Sequence, residues 1–177
     1  MIKVVIMLQI YFRTNRLIAR QLKLSDLEQF HTMQSNMKVM KYILGRTKTK
    51  EENAAELKNI ISEYTLSEPN KIVMGLSEVS DVTCTLIGTC AITSLDDEFN
   101  EVGYRLLEES WGNGYGREIL EGLLTYCFDD LKVKKVKAEV EKENIYSVRI
   151  LESSLLNYVR EYYEGDNLVR LYVIEKD

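Results

Sequence analysis

Apolar and polar residues change their period several times along this chain of 177 residues, and each change marks an element. Over residues 16–22, Leu17, Ala19 and Gln21 alternate with Ile18, Arg20 and Leu22, the period of two that suits a strand. Ser25-Asp26-Leu27-Glu28 has the form of a capping box and predicts a helix to about Ser35. Thr49-Lys50-Glu51-Glu52 is a second box, and the helix after it puts Ala54, Leu57, Ile61 and Tyr64 on one face. Beyond Pro69-Asn70, residues 71–78, 86–93 and 101–107 read as an antiparallel meander with polar turns at Ser80-Asp81 and Asp96-Asp97.

A glycine-rich turn over 111–116 then leads into an amphipathic helix whose stripe is Ile119, Leu120, Leu123, Leu124, Cys127 and Phe128. Residues 135–140 predict another strand, with Val136, Ala138 and Val140 on one face. Asn144 caps a helix carrying Ile145, Val148 and Leu151. A hairpin of 158–163 and 168–174 closes the chain around Glu164-Gly165-Asp166-Asn167. The order strand, two helices, three strands, helix, strand, helix, two strands describes an α/β (α+β) fold, a mixed sheet with helices packed on its faces. The crossover through the long helix makes 101–107 and 135–140 parallel neighbours.

The only proline is Pro69, and no repeat or low-complexity tract divides the chain, so 1–177 reads as a single domain. Its start is apolar around Lys3 but too short to span a bilayer, and fits an extra strand or a leader within 1–13. Met1 and Met7 both fit as the start. No other segment is a membrane span.

Composition narrows the function more than the fold. At 45% hydrophobic and 29% charged residues the chain is ordinary for a globular protein. A net charge of −5 argues against a general nucleic-acid binder and mildly favours a cationic partner such as an amine. Cys84, Cys90 and Cys127 form no CxxC pair and His31 is the only histidine, so no structural zinc site can be assembled. Three reduced thiols suit the cytoplasm. Cys127, among Leu123, Leu124 and Phe128, reads as a core thiol. His31 has no acidic partner at catalytic spacing and reads as surface or core.

The chemistry concentrates in Trp111-Gly112-Asn113-Gly114-Tyr115-Gly116-Arg117. Alternate glycines can take positive φ and let backbone approach a bulky anion. The turn opens a helix, whose first N–H groups lack partners and whose dipole favours negative charge. A diphosphate suits that cradle, with Arg117 as a charge-assisted donor. A Walker loop is excluded because Arg117-Glu118 stands where Lys-Ser/Thr is required. A dinucleotide fingerprint is excluded because this is GxGxG after an antiparallel meander. The plain alternative is a loop whose glycines only cap a helix.

Glu101-Val102-Gly103-Tyr104-Arg105-Leu106 followed by Trp111–Glu118 resembles the GNAT superfamily of N-acetyltransferases. The likeness is to the RimJ/RimL-like, ribosomal-protein-acetylating branch, with its E-x-G-Y-x-L and W-G-x-G-Y-[AG]-x-E patterns. Asn144-Ile145-Tyr146-Ser147-Val148-Arg149 with Leu151-Glu152 is similar to that branch's N-x-x-S-x-R-x-L-E, and Thr14 to Arg20 with Asp26 to its opening. The resemblance implies a mostly antiparallel sheet splayed between the strands at 101–107 and 135–140, with acetyl-CoA as co-substrate. The pyrophosphate would lie on Trp111 to Arg117, and the pantetheine arm against the backbone of Tyr104, Arg105 and Leu106. Asn144 and Ser147 would face the arm near the thioester. Family habit adds a homodimer.

Direct attack of an amine on an acetyl thioester needs a neutral amine, support for an oxyanion and departure of a thiolate. At pH 7 an α-amine is about one-tenth neutral and a lysine amine far less, so a base is the larger requirement. Glu101, at the start of the strand bordering the cofactor, is the candidate base; its plain alternative is a solvated carboxylate. Ser147 is the candidate donor to the sulfur, or a local cap. Tyr104 and Tyr146 read as packing residues, and Lys132, Lys134, Lys135 and Lys137 as a solvated strand edge. Leu151 stands where many superfamily members carry a tyrosine acid, and Ser154-Leu155-Leu156 replaces a usual Leu-Gly-Phe. The acceptor expected is a protein N-terminal α-amine or a small polyamine-like amine. Two alternatives are an antibiotic or metabolite amine acetylator and an idle acyl-CoA sensor.

Overall fold

The computed structural model describes residues 9–67, 69–94 and 99–176. The turn at Asp96-Asp97, Met1 and Met7 lie outside them. Among the described residues eight strands are β1 (Ile10–Arg13), β2 (Leu17–Arg20), β3 (Lys71–Glu78), β4 (Gly88–Thr93), β5 (Asn100–Leu106), β6 (Lys135–Glu141), β7 (Asn157–Glu164) and β8 (Asn167–Glu175). They form one sheet in the order β1-β2-β3-β4-β5-β6-β8-β7. The helices are α1 (Leu27–Gln34), α2 (Met37–Met40), α3 (Lys50–Glu63), α4 (Tyr115–Thr125) and α5 (Ile145–Glu152).

All neighbours pair antiparallel except β5 and β6. The crossover through α4 brings these two together in parallel, but only Asn100 with Val136 and Glu101 with Lys137 are in register. After Glu101 the strands diverge. The edge of β5 from Val102 to Leu106 faces a gap, while its other edge stays paired with β4.

Alternation along the strands sends apolar side chains to both faces. On one, the α4 stripe packs on the sheet: Ile119, Leu120, Leu123, Leu124, Cys127 and Phe128 are all buried, with Ile92, Val136 and Tyr172 below them. A single π turn, Tyr126–Asp130, continues the helix and keeps Cys127 and Phe128 inward. On the other face, α1, α2 and α3 cover Phe30, Met33, Leu57, Ile60 and Leu107.

Two local readings shift. The helix expected from Ser25 begins as a 3-10 turn, Leu24–Asp26, because Asp26 is drawn inward. Its carboxylate accepts from the Lys23 amide at 2.9 Å and pairs with buried Arg20 at 2.8 Å, so Asp26 and not Ser25 anchors the helix. On α3 the buried positions are Asn53, Leu57 and Ile60, one step round from the expected face. Asn53 is held there by His31 Nδ1 at 2.9 Å, which places His31 in a structural contact. The Thr49 and Glu52 capping box forms. The short α2, capped by Asn36, has no counterpart in the expected order.

Candidate active site

The glycine turn lies where β5 ends and α4 begins. Gly112 and Gly114 have φ of +78° and +77°, a region costly for residues with a Cβ. Gly114 is the N-cap of α4 and no side chain caps that helix, so the first backbone N–H groups are offered outward. Gly116 does not need positive φ, contrary to the alternating-glycine reading. It is buried in the first turn of α4, where a Cβ would strike Tyr104 Oη and come within 2.8 Å of Ile150 Cδ1. Gly116 lets β5, α4 and α5 meet.

Side chains far away in sequence hold the turn. Arg16, in the β1–β2 turn, donates to the Asn113 carbonyl at 2.8 Å and pairs with Glu118 at 2.6 Å. Thr14 Oγ1 and the Arg16 amide also donate to Glu118, at 2.5 and 2.8 Å. Burial alone would raise the Glu118 pKa, but these donors outweigh it and lower it. The Arg16 guanidinium lies 4.7 Å from the centre of the Tyr115 ring, and the Tyr115 hydroxyl donates to Glu78 at 2.7 Å. Arg16, Thr14 and Glu118 have no role that local spacing alone reveals. Their positions in the opening and W-G-x-G-Y-[AG]-x-E patterns were the available signal. Trp111, expected on the pyrophosphate, donates its indole N–H to the Leu106 carbonyl at 3.1 Å. Arg117 is exposed and pairs with Glu121 at 2.9 Å.

At the splay, Tyr104 points toward α4. Burial pushes its hydroxyl up to about 12, partly offset by Ser147 facing it. Asn144 caps α5, accepting from the Ser147 amide at 3.3 Å. Thus Tyr104, Asn144, Ser147 and Gly116 come together where β5 parts from β6. Tyr146 is 82% exposed and stands apart.

Glu101 sits at the base of the splay, on the sheet face opposite α4. Its carboxylate is 3.3 Å from Lys137 Nζ, which is 3.2 Å from Glu139. Lys137 is therefore no part of a solvated strand edge. Burial opposes its charge, but Glu139 and Glu101 outweigh that and raise its pKa. On β7, burial and then Glu139 push Tyr162 up to about 12. Cys90 and Cys127 are buried, and desolvation raises both thiols and so disfavours their thiolates. No group of acids, histidines or cysteines among the described residues can hold a metal ion, and no helix there is long and apolar enough to cross a membrane.

A positive-φ turn, an uncapped helix start and a strand edge opened by splaying fit a diphosphate joined to an extended arm. Comparison with known proteins agrees. The acetyltransferase (GNAT) domain model matches residues 16–154, and the chain belongs to that family. It is 30% identical to the uncharacterized N-acetyltransferase p20 of Bacillus licheniformis, over 79% of this chain and 78% of p20. A GNAT-family acetyltransferase from Bacillus anthracis superposes with a TM-score of 0.80 at 20% identity, covering 96% of this chain and 98% of that one. RimL, a ribosomal L7/L12 α-N-protein acetyltransferase, superposes at 0.79 and 15% identity, covering 99% of each chain. Spermidine N-acetyltransferase from Vibrio cholerae, in complex with CoA and spermine, superposes at 0.74 and 20% identity, covering 90% of this chain and 95% of that one. The protein is an acetyl-CoA-dependent N-acetyltransferase.

Proposed function

We propose that this enzyme acetylates a primary amine by direct attack in a ternary complex, the acceptor being a protein N-terminal α-amine or a small polyamine-like amine. The observation that carries the reading is the divergence of β5 and β6 after Glu101, which leaves one β5 edge open between the α4 turn and a carboxylate. In this reading the backbone at Gly112, Asn113, Gly114, Tyr115, Gly116 and Arg117 binds the pyrophosphate. The backbone of Tyr104 and Leu106 binds the pantetheine arm along the open edge, whereas Arg105, expected with them, turns its backbone to Thr89 on β4. The Leu106 carbonyl keeps one lone pair for it, the other being engaged by Trp111.

The acceptor enters from the face opposite α4. Its nitrogen forms the new C–N bond as the C–S bond breaks. Glu101 receives the ammonium proton through water, and the departing sulfur takes one from Ser147 or from solvent. Lys137 competes for the Glu101 carboxylate, so relay through water suits this geometry better than direct abstraction. Ser147 and Tyr104 face each other, which supports Ser147 as the donor. The branch resembling RimJ and RimL is supported by the sequence patterns and by RimL's shape, and the polyamine alternative by the spermidine enzyme's.

The test is CoA release from acetyl-CoA with peptide N-termini, polyamines and aminoglycosides, in wild type and Glu101→Gln. Turnover on one class, reduced about 10²-fold or more in the variant at pH 7, supports both reaction and base. Undiminished turnover removes Glu101 as the base. Tight acetyl-CoA binding without turnover on any acceptor identifies a sensor instead.

A further inference from the structure

Two arginines of the sheet differ in how completely the protein satisfies them. Arg20 is fully buried, and its five N–H donors go to Asp26 twice, Ser77 Oγ, and the Gln21 and Cys84 carbonyls. Arg105, half-buried on β5, donates only to Gln34 Oε1, at 2.7 Å, among the described residues. Gln34 is fully buried and donates to Glu56 at 2.9 Å. Glu56 is already bound by Lys48 at 2.8 Å. The chain Arg105–Gln34–Glu56–Lys48 thus holds two cations and one carboxylate. Nearby, Lys38, Arg46 and Lys50 have their own carboxylates in Glu108, Glu52 and Glu28. Burial lowers the Arg105 pKa, with Glu56 only partly opposing it.

Arg105 stands in a particular place. Alternation along β5 puts it on the same face as Gly103 and Glu101, away from α4. Gly103 is exposed, and a Cβ built on it meets nothing within 4 Å. The floor is therefore open between a carboxylate at one end and a guanidinium at the other. Each lies two residues, about 6.8 Å, from Gly103 along the strand. An amine above Gly103, served by Glu101 through water, has the rest of its acceptor in reach of Arg105.

The geometry points to Arg105 as a specificity residue that receives a carboxylate of the acceptor, placed a few bonds from the reacting amine. The acceptor is then an anionic α-amine, either a free amino acid or a peptide with an acidic first residue, and not a polyamine. This rests on the acetyl-transfer reading of the same site. A net charge of −5 does not oppose it, because screening confines distant charges to about 8–10 Å while a half-buried fork acts at contact.

The experiment measures both acceptor binding to the protein–CoA complex by calorimetry and CoA release from acetyl-CoA. Alanine against alaninamide tests an α-carboxylate, Asp-Ala-amide against Asn-Ala-amide tests a side-chain carboxylate, and spermidine is the cationic control. Each is run with wild type, Arg105→Gln and Arg105→Lys. In wild type the acidic member of one pair is preferred at least about tenfold, and that pair names the source of the carboxylate. Arg105→Gln closes the ratio to about twofold or less, chiefly through KM, and Arg105→Lys restores part of it. Comparing the ratio between proteins cancels differences in amine basicity. No preference in either pair, preference for spermidine, or equal losses for both members in Arg105→Gln overturns the inference. Discrimination in binding without CoA release keeps the inference and sinks acetyl transfer. Release without discrimination does the reverse.

Discussion

Glu118 receives Arg16 across more than a hundred positions of sequence, with Arg16 Nη2 2.6 Å from Glu118 Oε2, and so ties the first turn of α4 to the β1–β2 turn. Thr14 and the Arg16 amide bind the same carboxylate. The glycine turn is thus held from outside as well as by its own Asn113, whose side-chain amide donates to the Ser110 carbonyl at 3.2 Å.

Glu118→Ala removes the acceptor from these donors. The expected cost is about 1–2 kcal/mol, moderated because Arg16 is half exposed. Since the folded-state pKa is lowered, this stability is present above the unfolded carboxylate pKa and is lost as pH falls through the folded value. Denaturant melts from pH 7 down to pH 3 check both. Wild type should lose stability relative to the variant as the medium becomes acid, and a constant gap between them would refute the linkage.

Gly116→Ala drives a Cβ into Tyr104 Oη and Ile150 Cδ1. A loss of about 1–3 kcal/mol is expected from overpacking. Gly112→Ala meets nothing within 4 Å, so only the strain of φ +78°, about 1 kcal/mol or more, opposes it. Urea midpoints compare the two. Acetyl-CoA titrations on the folded variants then separate stability from binding.

Asp26→Asn leaves the Arg20 guanidinium buried with half of its carboxylate partnership gone. Removing one member of a buried pair costs about 3–5 kcal/mol. Thermal melts should show a large fall in midpoint, and a change of only a degree or two would mean that Ser77 and the Cys84 and Gln21 carbonyls suffice.

Cys84 is partly exposed, whereas Cys90 and Cys127 are buried with their thiols pushed up. A thiol reagent at pH 8 should label Cys84 on the native protein and reach the other two only after unfolding. Mass spectrometry of labelled peptides decides it. Fast native labelling of Cys127 would contradict the packing of the α4 stripe.

Local periodicity carried much of the fold. The α4 stripe, the alternating face of β6 and the Thr49 box are each set by residues a few positions apart, so the sequence alone determined them. The glycine turn was legible for the same reason, since positive φ and an uncapped helix start are local properties of Gly112 and Gly114. What only the tertiary structure decided depends on partners brought together by the sheet. Lys137 joined Glu101 because β6 lies parallel to β5 for two positions before leaving it. Asp26 overrode the Ser25 cap because Arg20 lay buried beneath it. Gly116 proved a contact residue for Tyr104 and Ile150, and Arg105 came to donate to Gln34, which itself donates to Glu56. Such pairings are set by burial and by strand order, energies that no short window of sequence contains.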